Sequence, residues 1–262
     1  MARIIAIANQ KGGVAKTTTC VNLGASLVAT KRKVLVIDFD PQANATVGSG
    51  IEKEGLKLSS YHVLLGQASI RDAIVRSESA GYDILPTSAD LTAAEVELMN
   101  TLVAREQKLK LALKDIHAEY DYVLIDCPPS LNMLTLNAMV AADSVMIPMQ
   151  CEYYALEGLS ALLKTIAEIR DSVNPKLEIE GLLRTMYDPR NNLSTDVSAQ
   201  LTEHFGDKVY RTVIPRNIRL AEAPSHGLPA LAYDKSSRGA LAYLALAGEM
   251  IRKQQQTAVL KN

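Results

Sequence analysis

The chain has 262 residues, of which 48% are hydrophobic and 22% are charged, and its formal net charge is −1. This apolar content can bury a sizeable core, which excludes a disordered chain, and the near-neutral balance excludes a uniformly basic nucleic-acid-binding coat but not a local basic patch. The three cysteines, Cys20, Cys127 and Cys151, lie far apart in the sequence. Their spacing argues against a disulfide framework, a zinc site or an iron–sulfur cradle, and it indicates reduced thiols in a cytosolic protein.

No segment has the pattern of a targeting signal or a membrane span. The first apolar run is far shorter than that of a signal peptide, and no run approaches the ~18 apolar residues of a spanning helix. Residues 241–262 are helix-like but turn polar at 254–256, without the basic and bulky apolar faces of an interfacial anchor. We therefore expect a cytoplasmic protein that does not bind membranes.

Short apolar runs alternate with stretches of helical pattern along the chain. Strands are predicted at residues 3–8, 34–39, 84–86, 122–127, 145–149, 177–185 and 209–215. Helices are predicted at residues 17–30, 91–116, 132–141, 156–173 and 193–205. The strand runs are apolar throughout, as in strands that are covered on both faces. This order predicts an α/β fold, a doubly wound and mostly parallel sheet with helices on both faces, in a single domain over 1–262 whose tail frays from 253.

The strongest motif is KGGVAKTT at residues 11–18, which follows the first predicted strand and opens the first predicted helix. Gly12 and Gly13 let backbone N–H groups turn toward a phosphate, and the helix N-terminus adds partial positive charge. We expect Lys16 to reach the β- and γ-phosphates of a nucleotide and the Thr17 hydroxyl to bind Mg²⁺. The predicted nucleotide-binding residues of this loop are Lys11, Gly12, Gly13, Val14, Ala15, Lys16, Thr17 and Thr18.

Ala15 departs from the usual phosphate-loop pattern, which has glycine before the lysine. If the backbone has a positive φ at this position, alanine costs on the order of 1 kcal/mol or more. Alanine keeps its backbone N–H, so we expect phosphate binding to survive in a weakened or distorted form.

Aspartates follow two of the predicted strands. Asp38 and Asp40 follow one apolar run, and Asp126 ends another. Ligands of open α/β sheets bind beyond the carboxyl ends of the strands, so these carboxylates are expected near the phosphate loop. Asp126 is predicted to hold Mg²⁺ directly or through water, and Asp40 to orient the attacking water. Asp38 either supports the water shell of the metal or is a cap or turn residue.

A second lysine, Lys11, stands at the head of the loop. The sequence K-G-G-V-A-K-T resembles the deviant phosphate loop of the ParA, MinD and nitrogenase iron-protein group, in which the extra lysine crosses a dimer interface to the nucleotide of the partner. Five further segments extend this resemblance over nearly the whole chain: DFDPQANAT, DYVLIDCPPSLNMLTLNA, IPMQCEYYALEGLS, IPRNIRLAEAPSHGLP and YDKSSRGALAY. Together these segments resemble the ParA/Soj-type chromosome-partition ATPases.

This resemblance implies an ATP- and Mg²⁺-dependent sandwich homodimer that binds double-stranded DNA without sequence preference. It also implies a ParB-type partner that stimulates slow ATP hydrolysis and releases the dimer from DNA, with the protein on the nucleoid in a bacterial cytoplasm. The cargo is a chromosome or a plasmid. The resemblance assigns Lys11, Lys16 and Asp40 to hydrolysis, and it places Asp126 in the second switch.

Four C-terminal residues are matched by the same resemblance. Pro215 and Asn217 fall in the segment that borders the adenine, and Arg190 and Arg219 match surface arginines that contact DNA in the dimer. Charge alone supports DNA binding weakly. Residues 170–262 carry 13 basic and 10 acidic side chains, a small excess of positive charge, and exposed charged side chains usually only contact solvent. A dimer joins two such patches, which raises avidity ~10²–10⁴-fold.

Two alternatives remain on the same fold. A MinD-like membrane-positioning ATPase needs a C-terminal amphipathic anchor, and the glutamine-rich tail has no such pattern. A metabolic phosphate-loop ligase, similar to dethiobiotin synthetase, needs a small-molecule pocket and couples ATP use to a substrate. The segment IPRNIRLAEAPSHG favours the partition ATPase over the ligase.

Overall fold

One sheet organises the computed structural model, which describes residues 2–101 and 103–260. Within these residues its strands are β1 (Arg3–Ile7), β2 (Val34–Asp38), β3 (Val75–Ser77), β4 (Tyr82–Leu85), β5 (Tyr122–Asp126), β6 (Ser144–Gln150) and β7 (Glu178–Thr185). Their order is β3-β4-β2-β5-β1-β6-β7. Neighbouring strands are parallel, except that β3 and β4 are antiparallel. The predicted α/β class and its mostly parallel sheet are confirmed.

The continuous apolar runs follow from two hydrophobic cores, one on each face of the sheet. In β2, Leu35 and Ile37 belong to one core, while Val34 and Val36 belong to the other. Side chains alternate between the two faces of a strand, so a strand buried on both faces needs apolar residues at every position. All five residues of β2 are buried, as are all five of β5.

Helices cover both faces of the sheet. In chain order they are α1 (Lys16–Ala29), α2 (Asn44–Gly48), α3 (Ser60–Leu64), α4 (Ile70–Ala73), α5 (Leu91–Met99), α6 (Lys108–Leu113), α7 (Met133–Ala141), α8 (Ala155–Ser172), α9 (Asn192–Phe205), α10 (Ile218–Glu222), α11 (Ala230–Tyr233) and α12 (Arg238–Leu260). Short 3₁₀ turns occur at Arg105–Gln107, Gly206–Lys208 and Ala223–His226. Helices α1 and α12 cover one core, and α7 and α8 cover the other. No helix in the described part of the chain is long and apolar enough to cross a membrane.

The single helix predicted at residues 91–116 is wrong, because the chain breaks between α5 and α6. Ala104 has a left-handed backbone with φ 52°, which a continuous helix does not allow. Asn137 of α7 holds the break: its Nδ2 donates to Arg105 O at 2.8 Å, and its Oδ1 accepts from Leu109 N at 3.3 Å. The buried amide of Asn137 thus bonds backbone groups that would bond to each other in the continuous helix predicted from the apolar periodicity.

The strand predicted at residues 209–215 is also wrong. This segment forms only two isolated bridges, Leu182 to Val209 and Tyr187 to Pro215. Between them, the carboxylate of Glu249 accepts hydrogen bonds from Arg211 N at 2.8 Å and Thr212 N at 2.9 Å. Tyr210 N and Ile214 N do bond to β7, but between them a side chain of α12 binds two consecutive backbone donors and interrupts the regular pairing of a strand.

The tail from residue 253 was predicted to fray, and in the structure α12 extends through Leu260. The Lys253 ammonium donates to Asp207 O at 2.9 Å and lies 4.5 Å from the centre of the Tyr210 ring. These contacts attach α12 to the body of the protein at Lys253. Residues 261 and 262 of the predicted tail lie outside the described residues.

Candidate nucleotide site

The loop between β1 and α1 is fixed to two neighbouring strands. Asn9 accepts a hydrogen bond from Lys11 N at 3.0 Å, and its Nδ2 donates to Pro148 O at 2.8 Å. Across the loop, the Thr185 hydroxyl donates to Val14 O at 3.0 Å. The ends of β6 and β7 therefore set the shape of this loop before any ligand binds.

The two glycines of the predicted phosphate-binding loop, Gly12 and Gly13, form an open, exposed cradle. Gly13 has φ 72°, a conformation that favours glycine, and a Cβ atom added at Gly12 or Gly13 would meet nothing within 4 Å. Successive N–H groups in such a turn, next to a helix N-terminus, bind anions. Thr17 and Thr18 lie in the first turn of α1, half-buried behind this cradle.

Ala15 has the strained conformation that its sequence position suggested. It stands directly before α1 with φ 69° and ψ 34°, in the left-handed region, and its side chain supplies no cap to the helix. For a residue with a Cβ this region costs roughly 1–2 kcal/mol. The positive φ at which alanine was predicted to strain the phosphate loop is therefore present at Ala15.

Lys16 is buried, with 7% of its surface exposed, and its Nζ donates to Lys11 O at 3.2 Å. Burial lowers the pKa of this ammonium, and the carboxylates of Asp126 and Asp40 oppose the change. An ammonium has three donors. Lys16 is thus placed to bind an anion between the loop and the acidic strand ends.

Asp38 and Asp126 occupy paired positions at the ends of β2 and β5, and both are fully buried. Asp38 is held within the protein: it accepts hydrogen bonds from Thr46 N and Thr46 Oγ1, each at 2.7 Å, and from Asp40 N at 3.2 Å. Burial raises the pKa of Asp38 to about 6, although the donors of Thr46 oppose this rise. In this arrangement Asp38 anchors the segment that carries Asp40.

Asp126, in contrast, has no hydrogen-bond partner for either carboxylate oxygen among residues 2–101 and 103–260. Burial and the neighbouring Asp38 raise the pKa of Asp126 well above its usual range, while Thr17 and Lys16 act in the opposite direction. A buried carboxylate without donors is costly unless a cation compensates it. The carboxylate and the nearby Thr17 hydroxyl are hard oxygen donors of the kind that Mg²⁺ uses together with phosphate oxygens. The residues present therefore fit a magnesium ion bound with a nucleotide.

Asp40 begins the segment that leads into α2. It is 8% exposed and accepts a hydrogen bond from Gln42 N at 3.0 Å, which closes a turn. Ala43 N donates to Asp40 O at 2.9 Å, and Ala43 has a left-handed backbone with φ 59°. Sequence reasoning missed the roles of Ala43 and of Thr46. The residues Asp40, Pro41 and Gln42 are typical of a turn, which is the only signal for the conformation of Ala43. Nothing in the sequence links Thr46 to Asp38.

Lys11 lies at the rim of the site and not in its interior. Its ammonium forms an ion pair with Glu152 of the same chain, and both side chains are 44% exposed. The next two residues, Tyr153 and Tyr154, are 73% and 70% exposed and stack edge to face at 5.0 Å. Glu152 was not predicted, because it lies 141 positions from Lys11 in the sequence.

The four C-terminal candidates are not joined to this site by any hydrogen bond or ion pair of the described residues. Asn217 accepts from Arg219 N at 3.1 Å and caps α10, and Pro215 pairs with Tyr187. Arg190 pairs with Asp188 at 2.8 Å. Arg219 pairs with Glu222 at 2.8 Å and with Asp234 at 3.4 Å. Both arginines are exposed and carry nearby counter-charges.

Comparison with known proteins agrees with this arrangement. The model of a family described as an AAA domain matches residues 2–179. The chromosome partitioning protein ParA of Caulobacter vibrioides is 53% identical over 97% of this chain and 95% of that protein. The sporulation initiation inhibitor protein Soj of Bacillus subtilis is 53% identical over 95% of this chain and 98% of that protein.

A solved structure extends the agreement to three dimensions. Cobyrinic acid a,c-diamide synthase from Mycobacterium smegmatis, with bound ADP and magnesium, has a TM-score of 0.85 at 39% identity, covering 97% of this chain and 96% of that chain. Three observations agree. A glycine cradle precedes a buried lysine, acidic residues end the strands at the same edge of the sheet, and the sequence identity extends over nearly the full length. The chain belongs to the ParA/Soj family of P-loop ATPases.

Proposed function

We propose that the protein binds ATP with Mg²⁺ and hydrolyses it to ADP and phosphate as a DNA-segregation ATPase. The observation that carries this proposal is the buried carboxylate of Asp126, which has no hydrogen-bond partner among the described residues and interacts electrostatically with the buried ammonium of Lys16. A cation would compensate the Asp126 carboxylate, and an anion would accept hydrogen bonds from the Lys16 ammonium, which donates to Lys11 O. A magnesium nucleotide supplies both. The relative with bound ADP and magnesium supports this choice of ligand.

Each residue of the site has a proposed task. The N–H groups of residues 12–17 and the Lys16 ammonium bind and orient the phosphates. Asp126 and the Thr17 hydroxyl hold Mg²⁺, which neutralises charge on the phosphate oxygens when it is bound. Asp40 positions a water molecule for attack on the γ-phosphorus, whose bond to the ADP oxygen then breaks. Asp38 keeps the Asp40 segment in place through Thr46.

Pairing of two chains completes the proposal. The rim position of Lys11 and the open space around Gly12 and Gly13 support close approach of a second copy, with Lys11 reaching the nucleotide of its partner. Dimerisation excludes water from the site, which strengthens the electrostatic contacts inside it. A site that is incomplete in one chain turns over slowly, and a partner that closes it accelerates hydrolysis.

We also propose what the ATPase acts on. The partition relatives support non-specific binding of double-stranded DNA by the ATP-bound dimer, through Arg190 and Arg219, and release after hydrolysis stimulated by a ParB-type protein. Contacts to phosphates alone make such binding strongly salt-dependent. Pro215 and Asn217 are proposed to border the adenine. The protein then works on the nucleoid in a bacterial cytoplasm.

The decisive experiment measures ATP turnover with and without duplex DNA and a ParB-type protein. We expect slow basal turnover that rises only when DNA and partner are both present. The name of the solved relative favours one second candidate, an ATP-dependent ligase that acts on a small molecule. Turnover that responds to a small carboxylic acid but not to DNA and partner would support the ligase and contradict partition.

A further inference from the structure

A cleft with a volume of about 610 Å³ lies at the edge of the sheet opposite the nucleotide site. The end of α1, the turn into β2, the β3–β4 hairpin and the loop before β5 form its walls. Val34, the first residue of β2, lines the cleft, whereas Asp38, the last residue of the same strand, belongs to the nucleotide site. The length of this strand, ~13 Å, separates the two sites.

The two acidic side chains that line the cleft already have partners. Asp83 accepts hydrogen bonds from Arg76 Nη1 at 3.1 Å and from the Tyr120 hydroxyl at 3.0 Å. Glu119 pairs with Arg71 at 2.6 Å. Arg76 and Tyr120 therefore compensate the charge of Asp83, and Arg71 compensates that of Glu119. The other cations that line the cleft take no part in this.

Those remaining cations are three consecutive residues, Lys31, Arg32 and Lys33. In the part of the chain that the structure describes, none of their side chains makes a hydrogen bond or an ion pair. The Nε atom of Arg32 is shielded from water and has no acceptor. Native proteins rarely leave a buried donor unsatisfied, because the loss of hydration is costly. Arg32 itself lines the cleft, so an anion bound there would supply an acceptor for its guanidinium if the side chain turned toward the ligand.

The position of the backbone at the end of α1 explains only one of the three positive charges of this cluster. Lys31 follows the C-terminal end of α1 with φ 64°, at a position where helices usually have glycine. A cation there interacts favourably with the negative end of the helix dipole. This accounts for one positive charge, but it does not account for the two that follow or for the buried Nε of Arg32.

We propose that this cleft binds a small phosphorylated metabolite with at least two negative charges, in addition to the nucleotide of the phosphate loop. Guanidinium groups match the geometry of phosphate oxygens, and the two lysines add charge. The volume lies within the range of small-molecule sites, and Val28 and Tyr120 provide apolar wall for an organic group. Duplex DNA fits less well, because the site is concave and Glu119 forms part of its wall. This inference does not depend on the proposed function.

The test is calorimetric titration of inorganic pyrophosphate into protein saturated with ADP and Mg²⁺, with matched Mg²⁺ in both solutions. Retention of a fluorescent ADP analogue shows that pyrophosphate has not entered the phosphate loop. We expect one additional pyrophosphate to bind. The double variant Arg32→Gln/Lys33→Gln should bind it at least about tenfold more weakly, because two charged contacts are lost.

A matched control removes two lysine charges elsewhere: Lys110→Gln/Lys176→Gln, both exposed and outside the cleft. It should bind pyrophosphate as the parent does. Absence of additional binding in the parent, or equal weakening in both double variants, would overturn the proposal, as would displacement of pyrophosphate by a short DNA duplex. If the double variant does not fold, Lys33→Gln alone tests the same point, because its side chain is exposed and a smaller loss is expected.

Discussion

Two alanines of the candidate nucleotide site have left-handed backbones, and each stands directly before a helix. Ala15 has φ 69° before α1, and Ala43 has φ 59° before α2. In this region the Cβ atom approaches the following carbonyl group, a clash that glycine avoids. The strain is local, and the tethers at Val14 and Asp40 hold both turns in this conformation.

Substitution of Ala15 by glycine should therefore stabilise the nucleotide-free protein. The relieved clash outweighs the greater flexibility of glycine in the unfolded chain, and we expect a gain of about 0.5–1 kcal/mol in the free energy of unfolding. Urea unfolding measures this change. The control is Ala25→Gly in the interior of α1, where the helix has ordinary dihedral angles and glycine should destabilise by about 0.5–1 kcal/mol or more. Equal losses for both variants would show that the left-handed backbone at Ala15 carries no strain.

Among the elements, α2 depends on contacts that are distant in sequence. Thr46 of this helix donates two hydrogen bonds to Asp38 at the end of β2, and its hydroxyl oxygen accepts from Thr87 N at 3.0 Å, just after β4. A five-residue helix is too short to be stable alone. The strand ends thus fix α2, and with it the turn that begins at Asp40.

Thr46→Val keeps the shape of the side chain but removes its hydroxyl. Asp38 loses a donor and the buried Thr87 N–H loses its acceptor, so we expect a loss of about 2–3 kcal/mol in the free energy of unfolding. The comparison is Thr165→Val on α8, where an exposed hydroxyl bonds only Ala161 O, and the change should stay within about 0.5 kcal/mol. A similar small change for both threonines would contradict the anchoring role of Thr46.

Elements with strong local patterns were predictable from the sequence, and elements fixed by distant side chains were not. The apolar runs of β1, β2 and β5 and the helix after the glycine loop follow from burial on two faces and from the loop motif. The break between α5 and α6 depends on Asn137, and the loop at 209–215 depends on Glu249. Nothing in the local sequence indicates either contact.

The same limit applies to the site. The glycine loop, Lys16 and the acidic strand ends could be located from motif and position. The different environments of Asp38 and Asp126 could not, since they arise from Thr46, which bonds one carboxylate and not the other.

At the scale of the whole molecule, Asp38 and Asp126 lie at the carboxyl ends of β2 and β5, and Lys16 lies at the start of α1. Lys11 remains at the rim of this site. In one chain Lys11 pairs with Glu152. An exposed ion pair is worth little, about 0–1 kcal/mol, so the phosphates of a nucleotide on a second copy can replace it. The proposed dimer thus exchanges a weak contact within one chain for a charge-assisted contact between chains.

This exchange predicts the behaviour of variants in which hydrolysis is blocked. Asp40→Ala should accumulate an ATP-bound dimer, because the group that we propose to position the attacking water is missing. Lys11→Ala in the same background should remain monomeric at saturating ATP, since the contact between chains is lost, while nucleotide still binds through Lys16. Light scattering after size exclusion reports the mass of each species, and a fluorescent ATP analogue reports binding. Glu152→Gln in the Asp40→Ala background is the matched control: it also breaks the ion pair but keeps the lysine, so the dimer should form. If the Lys11→Ala chain dimerises as well as this control, Lys11 does not join the two copies.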